Sequence, residues 1–341
     1  MSGKRDLGIY IHIPFCERKC AYCDFYSVPS AGVPEEYIDR LVREIGGFEA
    51  AGEYSVDSIF FGGGTPSLLS EVQAGRIFDA IYRRFAVAGD CEITLETNPN
   101  SGIVAPQFFN RISFGVQSAN DGELAVLGRL HTWGDFLRTY DEARKFYDNI
   151  SIDLMFGIPN QTLESWGETL EKVGRLGAEH LSLYSLSIEE GTPFAGMELD
   201  LPDEDVEREM YAMAVKMGGY GRYEISNLAV AGRECRHNLK YWNMGEYVGF
   251  GAGAHSFING KRWENGVDWE RRGVECDYWS EYMFLGLRQV AGVVVTDDVR
   301  ERFGGMIRRQ VEMGMMARDG GRVRLTERGI EVSNMILAEF V

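Results

Sequence analysis

His12-Ile13-Pro14-Phe15-Cys16-Glu17-Arg18-Lys19-Cys20-Ala21-Tyr22-Cys23-Asp24-Phe25 gathers three of the chain's six cysteines onto eight positions, directly after the apolar run Leu7–Ile13. Thiolates hold iron–sulfur clusters, normally one per iron in a four-iron cube. Three of them on one tight loop suit three corners and leave the fourth iron open. An open iron can chelate the amino and carboxylate groups of S-adenosylmethionine, and one electron from the cluster can then split its C–S bond. Two plainer readings compete. A structural zinc ion needs four closed ligands, with His12 or Asp24 as the fourth. Three unliganded core cysteines would leave their crowding on a loop of proline and charges unexplained. The other cysteines, Cys91, Cys235 and Cys276, are scattered and supply no disulfide framework.

Outward from this loop, apolar strand-like runs alternate with amphipathic stretches. The strand candidates are Leu7–Ile13, Val56–Phe61, Cys91–Thr97, Arg111–Gln117, Asn149–Phe156 and His180–Ile188. Most are near-continuous in apolar or β-branched residues, as parallel strands buried on both faces are. Helix candidates lie between them at Pro34–Ala51, Ser70–Phe85, Trp133–Tyr147 and Leu163–Leu176. Pro34 with Glu35 and Glu36 makes a good helix start, since acids suit its positive end. The pattern predicts an α/β fold, a partial (β/α)6 barrel with its chemistry at the strand C-terminal ends. Between the third and fourth strands only Asn98–Asn110 remain, broken by Pro99, Gly102 and Pro106, so that crossover helix is expected to shrink to a turn or two. Beyond Ile188 come a helix candidate, Asp203–Gly218, then a stretch rich in glycine and aromatics, Tyr220–Phe257. The tail from Trp279 reads as two helices, a short hairpin and a final helix, Thr326–Phe340, a smaller α+β, winged-helix-like module. The expected division is 1–225 for the barrel and 226–341 for the C-terminal domain.

The formal net charge of −17 over 341 residues argues against nucleic acid as a main partner, because polyanion binding rests on a basic surface. No apolar run approaches the ~20 residues a membrane span needs. The polar stretch Met1–Leu7 has no signal-peptide apolar region. A soluble, cytoplasmic protein is the expectation.

Several motifs share one order: Phe61-Gly62-Gly63-Gly64-Thr65-Pro66-Ser67, Glu96-Thr97-Asn98-Pro99, Gly115-Val116-Gln117-Ser118, Leu127-Gly128-Arg129-Leu130-His131, Asp153-Leu154-Met155-Phe156-Gly157 and Gly191-Thr192-Pro193-Phe194. With the cysteine loop they resemble the oxygen-independent coproporphyrinogen III oxidase family of the radical S-adenosylmethionine superfamily over nearly the whole chain. Within that family the chain is similar to the heme-chaperone branch. The oxidases keep another cysteine where Phe25 stands and carry an N-terminal extension, whereas the motif strand here begins near residue 7. The segment His237-Asn238-Leu239-Lys240-Tyr241-Trp242 matches one linked to heme binding in the chaperone branch. The chain departs from relatives in its shortened third crossover, a trimmed C-terminal module, and an alanine for the usual proline in Gly251-Ala252-Gly253-Ala254-His255.

The resemblance implies a radical S-adenosylmethionine barrel with a [4Fe-4S] cluster on Cys16, Cys20 and Cys23. It implies that S-adenosylmethionine is held by Gly63, Gly64 and Thr65 at its amino group and by Arg129 at its carboxylate, whose two oxygens suit a planar fork. Gln117 and Asp153 would meet the ribose, with Glu96, Tyr10, Tyr22 and Ser187 also in contact. Glu96, Gln117, Arg129 and Asp153 are expected at or just beyond strand ends; the plain reading of the acids is helix capping or an ion pair, and of the glycine run a tight turn. His237 would be an axial heme ligand, with Arg233, Arg236 and Lys240 on the propionates and Tyr241 and Trp242 stacking on the macrocycle. Cys235 is an alternative soft ligand, and an isolated histidine is also an ordinary hydrogen-bonded residue. The implied function is a heme chaperone that passes heme to an acceptor protein; the alternative is radical oxidative decarboxylation of coproporphyrinogen III. An electron donor such as flavodoxin or ferredoxin is implied, while a transient membrane contact and a homodimer stay open.

Overall fold

The computed structural model describes residues 3–341; of the polar stretch Met1–Leu7, Met1 and Ser2 lie outside the described residues. Six parallel strands form its centre: β1 (Arg5–Ile13), β2 (Tyr54–Gly63), β3 (Ala86–Thr97), β4 (Arg111–Gln117), β5 (Ile150–Phe156) and β6 (His180–Ser185). Each pairs with the next in chain order. Their apolar runs are buried on both faces, one against helices and one against the barrel interior. The crossovers carry α1 (Glu35–Gly46), α2 (Glu71–Arg84), α3 (Asp121–Val126), α4 (Trp133–Ala143) and α5 (Leu163–Gly174). Their starts are written locally: Ser70, Thr132 and Thr162 each accept from a backbone N–H three residues on and close reciprocal capping boxes.

The third crossover is as short as the sequence predicts. Its helical piece is a single 3-10 turn, Pro106–Phe108. Aromatics cover that flank instead: Phe108 stacks on Phe78 of α2 at 4.9 Å, and Phe109 meets Phe61 of β2 edge-on at 5.2 Å.

After α6 (Glu204–Ala214) the chain departs from expectation, because the glycine- and aromatic-rich stretch is largely strand. β7 (Gly221–Glu224) and β8 (Asn227–Ala229) pair antiparallel beside β6; after α7 (Arg236–Trp242), β9 (Tyr247–Phe250) joins β1 in parallel, followed by β10 (His255–Ile258), β11 (Lys261–Asn265) and β12 (Arg271–Val274). One sheet therefore runs β12-β11-β10-β9-β1-β2-β3-β4-β5-β6-β8-β7. The expected boundary at residue 226 falls inside this sheet. The main core extends to Ile258, and a second core begins at Met283, so the division lies between Val274 and α8 (Tyr278–Gly286). These strands were not legible because they are three to five residues long, several are interrupted by glycines, and β12 is wholly exposed.

The C-terminal module holds α8, β13 (Val293–Val294), α9 (Asp297–Glu312), the hairpin β14 (Met316–Asp319) and β15 (Arg322–Leu325), then α10 (Glu327–Glu331) and α11 (Ser333–Leu337). The expected final helix is thus broken at Val332. Among the described residues no helix is long and apolar enough to cross a membrane.

Among several contacts between the two cores, a buried polar seam lies at the end of β7. Glu224, fully buried at the end of β7, receives Nη2 of Arg288 at 3.3 Å, while Ile225 N donates to Arg288 O and Val290 N to Tyr223 O. Removing one partner of a buried pair strands the other charge, which costs ~3–5 kcal/mol. Arg288→Ala is therefore expected to lower the urea midpoint of the C-terminal module. A midpoint within error of the parent's would show that the seam does not hold the two cores together.

Candidate functional site

The register of β1 on β2 sets the site. Ile13 lies opposite Gly63, so the cysteine loop and the glycine run leave the barrel at the same level. Gly64 N then donates to Ile13 O at 2.9 Å and Thr65 N to Phe15 O at 2.7 Å. Side chains cannot replace these glycines. A Cβ on Gly64 would stand 2.7 Å from Phe15 O, and Gly63, at φ +111°, would drive one to 2.6 Å from the His12 ring. The N–H groups of Gly64 and Thr65 are thus spent on clamping the loop and that of Gly63 on Glu96, and what remains toward a ligand is the carbonyls and the Thr65 hydroxyl. The Thr65 hydroxyl accepts from Asn98 Nδ2 at 2.9 Å and lies 3.4 Å from Cys16 Sγ.

The far side of the loop is fixed as firmly. Phe194 N donates to Ala21 O, Arg18 reaches the carbonyls of Gly128 and Arg129, and Tyr22 packs with Leu127, Met155, Ile158, Leu186 and Phe194. Burial raises the Tyr22 phenol, as it does the Cys23 thiol. Cys16, Cys20 and Cys23 are all free and half-buried. Among the described residues no three histidine, cysteine or acidic side chains converge to share one metal ion. Thiolates on one tetrahedral zinc stand ~3.8 Å apart, as follows from Zn–S bonds of ~2.3 Å. Three half-buried thiols on one loop are a donor set that suits a four-iron cube with one open corner. His12 is moreover engaged by Tyr10 OH and Tyr26 O, leaving it no role as a fourth zinc ligand.

Around the loop, Arg129 sends Nη2 to both Asn98 Oδ1 and Gly115 O at 2.5 Å and Nη1 to Cys20 Sγ at 3.5 Å, while its Nε is buried without a partner. Gln117 ends β4 in the left-handed region at φ +71°, and its Oε1 is likewise buried and unpartnered. A strained non-glycine backbone beside an orphaned acceptor is a common signature of a ligand-binding position.

Below the mouth a smaller cavity of about 170 Å³ is lined by Tyr10, Glu96, Arg111, Ser113, Asp153 and Ser182, among others. Asp153 is the fourth residue of β5, so it projects into the barrel rather than standing at a strand end; Ser113 donates to both its oxygens at 3.1 and 3.2 Å. Burial and the negative charge of Asp153 push the Glu96 carboxyl up to about 8, and burial raises Asp153 too. Glu96 also accepts from Gly63 N at 3.3 Å, linking this cavity to the clamp. Arg111, almost fully buried, went unremarked as a site residue. The signal was present, since a cation opens an otherwise apolar strand.

One expected residue does not join the site: Ser187 lies beyond the end of β6, exposed, donating to Glu189 at 2.6 Å. His237 sits in the first turn of α7, not in a loop, buried against Gly8 and Phe60, and it lines the small cavity with Glu96 and Asp153 rather than the large one. Its Nδ1 is 3.0 Å from Ser58 Oγ and its Nε2 is 2.8 Å from Tyr241 OH, so neither ring nitrogen is free for iron. Arg233, Arg236 and Lys240 are paired with Asp148, Asp90 and Asp57 and line no part of the large cavity described next. Cys235 is buried against Glu92, and burial pushes its thiol up to about 12.

Tyr241 and Trp242 do reach that cavity, which is about 1020 Å³ and lies between the cysteine loop and the C-terminal module. Phe25, Tyr26, Met244, Tyr247, Phe257, Phe284 and His255 also line it. Phe25 is two-thirds exposed and opens onto this space directly from the cysteine loop. Tyr10 and Tyr241 face both cavities and partition them.

Comparison with known proteins agrees with this geometry. The radical SAM superfamily model matches residues 10–173 and the HemN C-terminal domain model residues 275–332. The chain is 37% identical to the heme chaperone HemW of Bacillus subtilis, over 97% of this chain and 98% of that one. It is 40% identical to the mitochondrial radical S-adenosyl methionine domain-containing protein 1 of Mus musculus, over 74% of this chain and 61% of that one. The coproporphyrinogen III oxidase HemN of Escherichia coli superposes with a TM-score of 0.82 over 99% of this chain and 90% of that one, at 21% identity, a likeness of fold. The chain belongs to the radical S-adenosylmethionine superfamily and, within its coproporphyrinogen III oxidase family, to the heme-chaperone branch. A radical SAM domain implies a [4Fe-4S] cluster and S-adenosylmethionine as cofactors.

Two outcomes follow. Anaerobically reconstituted protein is expected to hold about one four-iron cluster per chain. Alanine at Cys16, Cys20 or Cys23 should abolish it, while alanine at Cys91, Cys235 or Cys276 leaves iron and absorbance intact; full iron content in Cys20→Ala would remove the assignment. The second concerns Glu96. An unfolded glutamate titrates near ~4.3, whereas the buried one titrates at about 8. As pH rises between those values the unfolded chain gives up a proton that the folded chain keeps, so stability falls and then levels off above 8. Glu96→Gln in cluster-free protein should therefore gain on the parent as pH rises from 5 to 8.5, and a pH-independent difference would contradict the buried, protonated carboxyl.

Proposed function

We propose that the protein is a cytoplasmic heme chaperone that takes heme into the large cavity beside the cysteine loop and passes it to an acceptor protein. The observation that carries this is the cavity's charge. Among the described residues the one lysine or arginine that lines it is Arg262, which is already paired with Glu281 and donates to Tyr247 OH at 2.6 Å. Asp24, Glu275 and Asp277 complete an acidic rim. Coproporphyrinogen carries four propionates, and a site built for it would present several free cations. Heme carries two on one edge, which can point to solvent while the apolar macrocycle lies against Trp242, Tyr247 and Phe257.

Cys16, Cys20 and Cys23 would hold the cluster, with Thr65, the carbonyls of Gly63 and Gly64, and Arg129 receiving the amino and carboxylate groups of S-adenosylmethionine. When bound, these groups supply one electron and a cleavable C–S bond. The chain's own part is to position them: Arg129 is locked by Asn98 and Gly115, and Gln117 and Asp153 offer oxygens for ribose hydroxyls. A small redox protein such as flavodoxin or ferredoxin would reduce the cluster.

Hemin titration of the reconstituted protein is expected to give a saturable Soret shift near one equivalent. With a competent electron donor, no conversion of coproporphyrinogen III to protoporphyrinogen IX is expected. Robust formation of the vinyl product would move the protein to the oxidase branch.

A further inference from the structure

Resting on the heme reading above, we propose that His255, at the start of β10 in the wall of the large cavity, is the ligand of the heme iron. The chain has five histidines. Four are buried and hydrogen-bonded: His12 to Tyr10 and Tyr26, His131 to Val116 O, His180 to Ser151 and Tyr223, and His237 to Ser58 and Tyr241. Among the described residues His255 is the exposed one, and its imidazole makes no hydrogen bond within the chain.

The backbone around it is nonetheless tightly built. Gly251 N donates to Glu44 at 2.9 Å, Gly253 N to Asn265 O at 2.8 Å, and Gly249 N to Ser256 Oγ at 2.9 Å. Gly249 must lack a side chain, since a Cβ there would fall 2.3 Å from His255 O. Gly251 and Gly253 hold φ at +101° and +85°. A rigid frame that presents an uncommitted imidazole to a cavity is what metal ligation requires, because a pre-set ligand loses little freedom on binding.

The surroundings suit the role. Glu264 Oε2 lies 3.9 Å from His255 Nε2, beyond hydrogen-bond range but close enough to take that N–H and orient the ring, which leaves Nδ1 for the metal. Burial lowers the imidazole's basicity, which keeps its lone pair free for a metal. His237 takes a different part. Its Nε2 fixes the hydroxyl of Tyr241, whose ring meets Tyr247 edge-on at 4.6 Å and forms the cavity floor. It is a positioning residue, acting on heme through Tyr241.

Full-length protein titrated with hemin decides the matter through absorption and electron paramagnetic resonance. His255→Ala should change the Soret position and spin state and weaken binding at least tenfold. In His255→Gly, added imidazole should restore the parent spectrum, which a merely structural role would not permit; circular dichroism and cluster content check that both variants fold. His237→Ala should weaken binding but keep the parent's ligand-field signature. If the His255 variants keep the parent spectrum, the ligand assignment is wrong while the heme reading stands. If the parent protein gives no saturable spectrum, the heme reading itself falls.

Discussion

Two backbone hydrogen bonds, Gly64 N to Ile13 O and Thr65 N to Phe15 O, tie the first two strands together just where both leave the barrel. Everything at the mouth takes its position from that clasp. Because β1 and β2 are in parallel register to their last residues, Cys16 comes out beside Thr65, and Glu96 on the next strand reaches Gly63 N. The clasp needs glycine at Gly63 and Gly64, so the same residues that leave carbonyls bare for a ligand also hold the thiolate loop over it. The tight-turn reading of the glycine run and its ligand reading are therefore compatible in the same residues. A loop bearing three thiols would otherwise be mobile; pinned at one end by this clasp and at the other by Tyr22 in its apolar cluster, it meets the metal already ordered.

Beneath the clasp the barrel stores unlike charges at close quarters. Glu96 and Asp153 share a small cavity with Arg111, and no ion pair closes between them there; serines carry the contacts to Asp153. Two carboxyls so placed cannot both ionise cheaply, and Glu96 keeps its proton into the neutral range. With Glu96 protonated, Arg111 balances Asp153; ionising Glu96 on the alkaline side leaves the cavity one carboxylate in surplus, at the cost of stability.

How much of this was legible in the sequence depends on the element. Strands with continuous apolar runs announced themselves, and Arg111–Gln117 coincides at both ends. The short third crossover was readable from its prolines. Short antiparallel strands were not, because Arg271–Val274 buries nothing and shows no period. For the site, motif order identified the residues around the loop, but not their depth: Asp153 faces inward from mid-strand, and a strand buried on both faces gives no alternation to say so. Ser187 fell outside because β6 ends earlier than its apolar run. His237 misled for a related reason. Its basic and aromatic neighbours looked like a heme loop, yet in three dimensions the cations turn outward to acids while the ring turns inward to Ser58. His255 was passed over since a single histidine after a glycine-rich turn carries no spacing signal; only its exposure and its lack of a hydrogen bond, visible in space, set it apart.

Charge at the large cavity bears on how a carrier differs from an enzyme. A catalyst must hold its substrate's charged groups in fixed positions, and cations in such a wall would raise affinity for any propionate-bearing macrocycle. Here the wall's arginine is bound to Glu281, and Asp277 is bound to Arg302, so neither charge is on offer. What remains is apolar area, a free imidazole, and an acidic rim that repels propionates toward solvent. In the heme reading proposed above, burying a macrocycle face against aromatics would supply affinity without orientation, and one axial bond would supply the orientation. A partner that competes for the iron and offers cations to the exposed propionates would then hold the heme more tightly than this cavity does, which gives transfer a direction without any change in the carrier's fold.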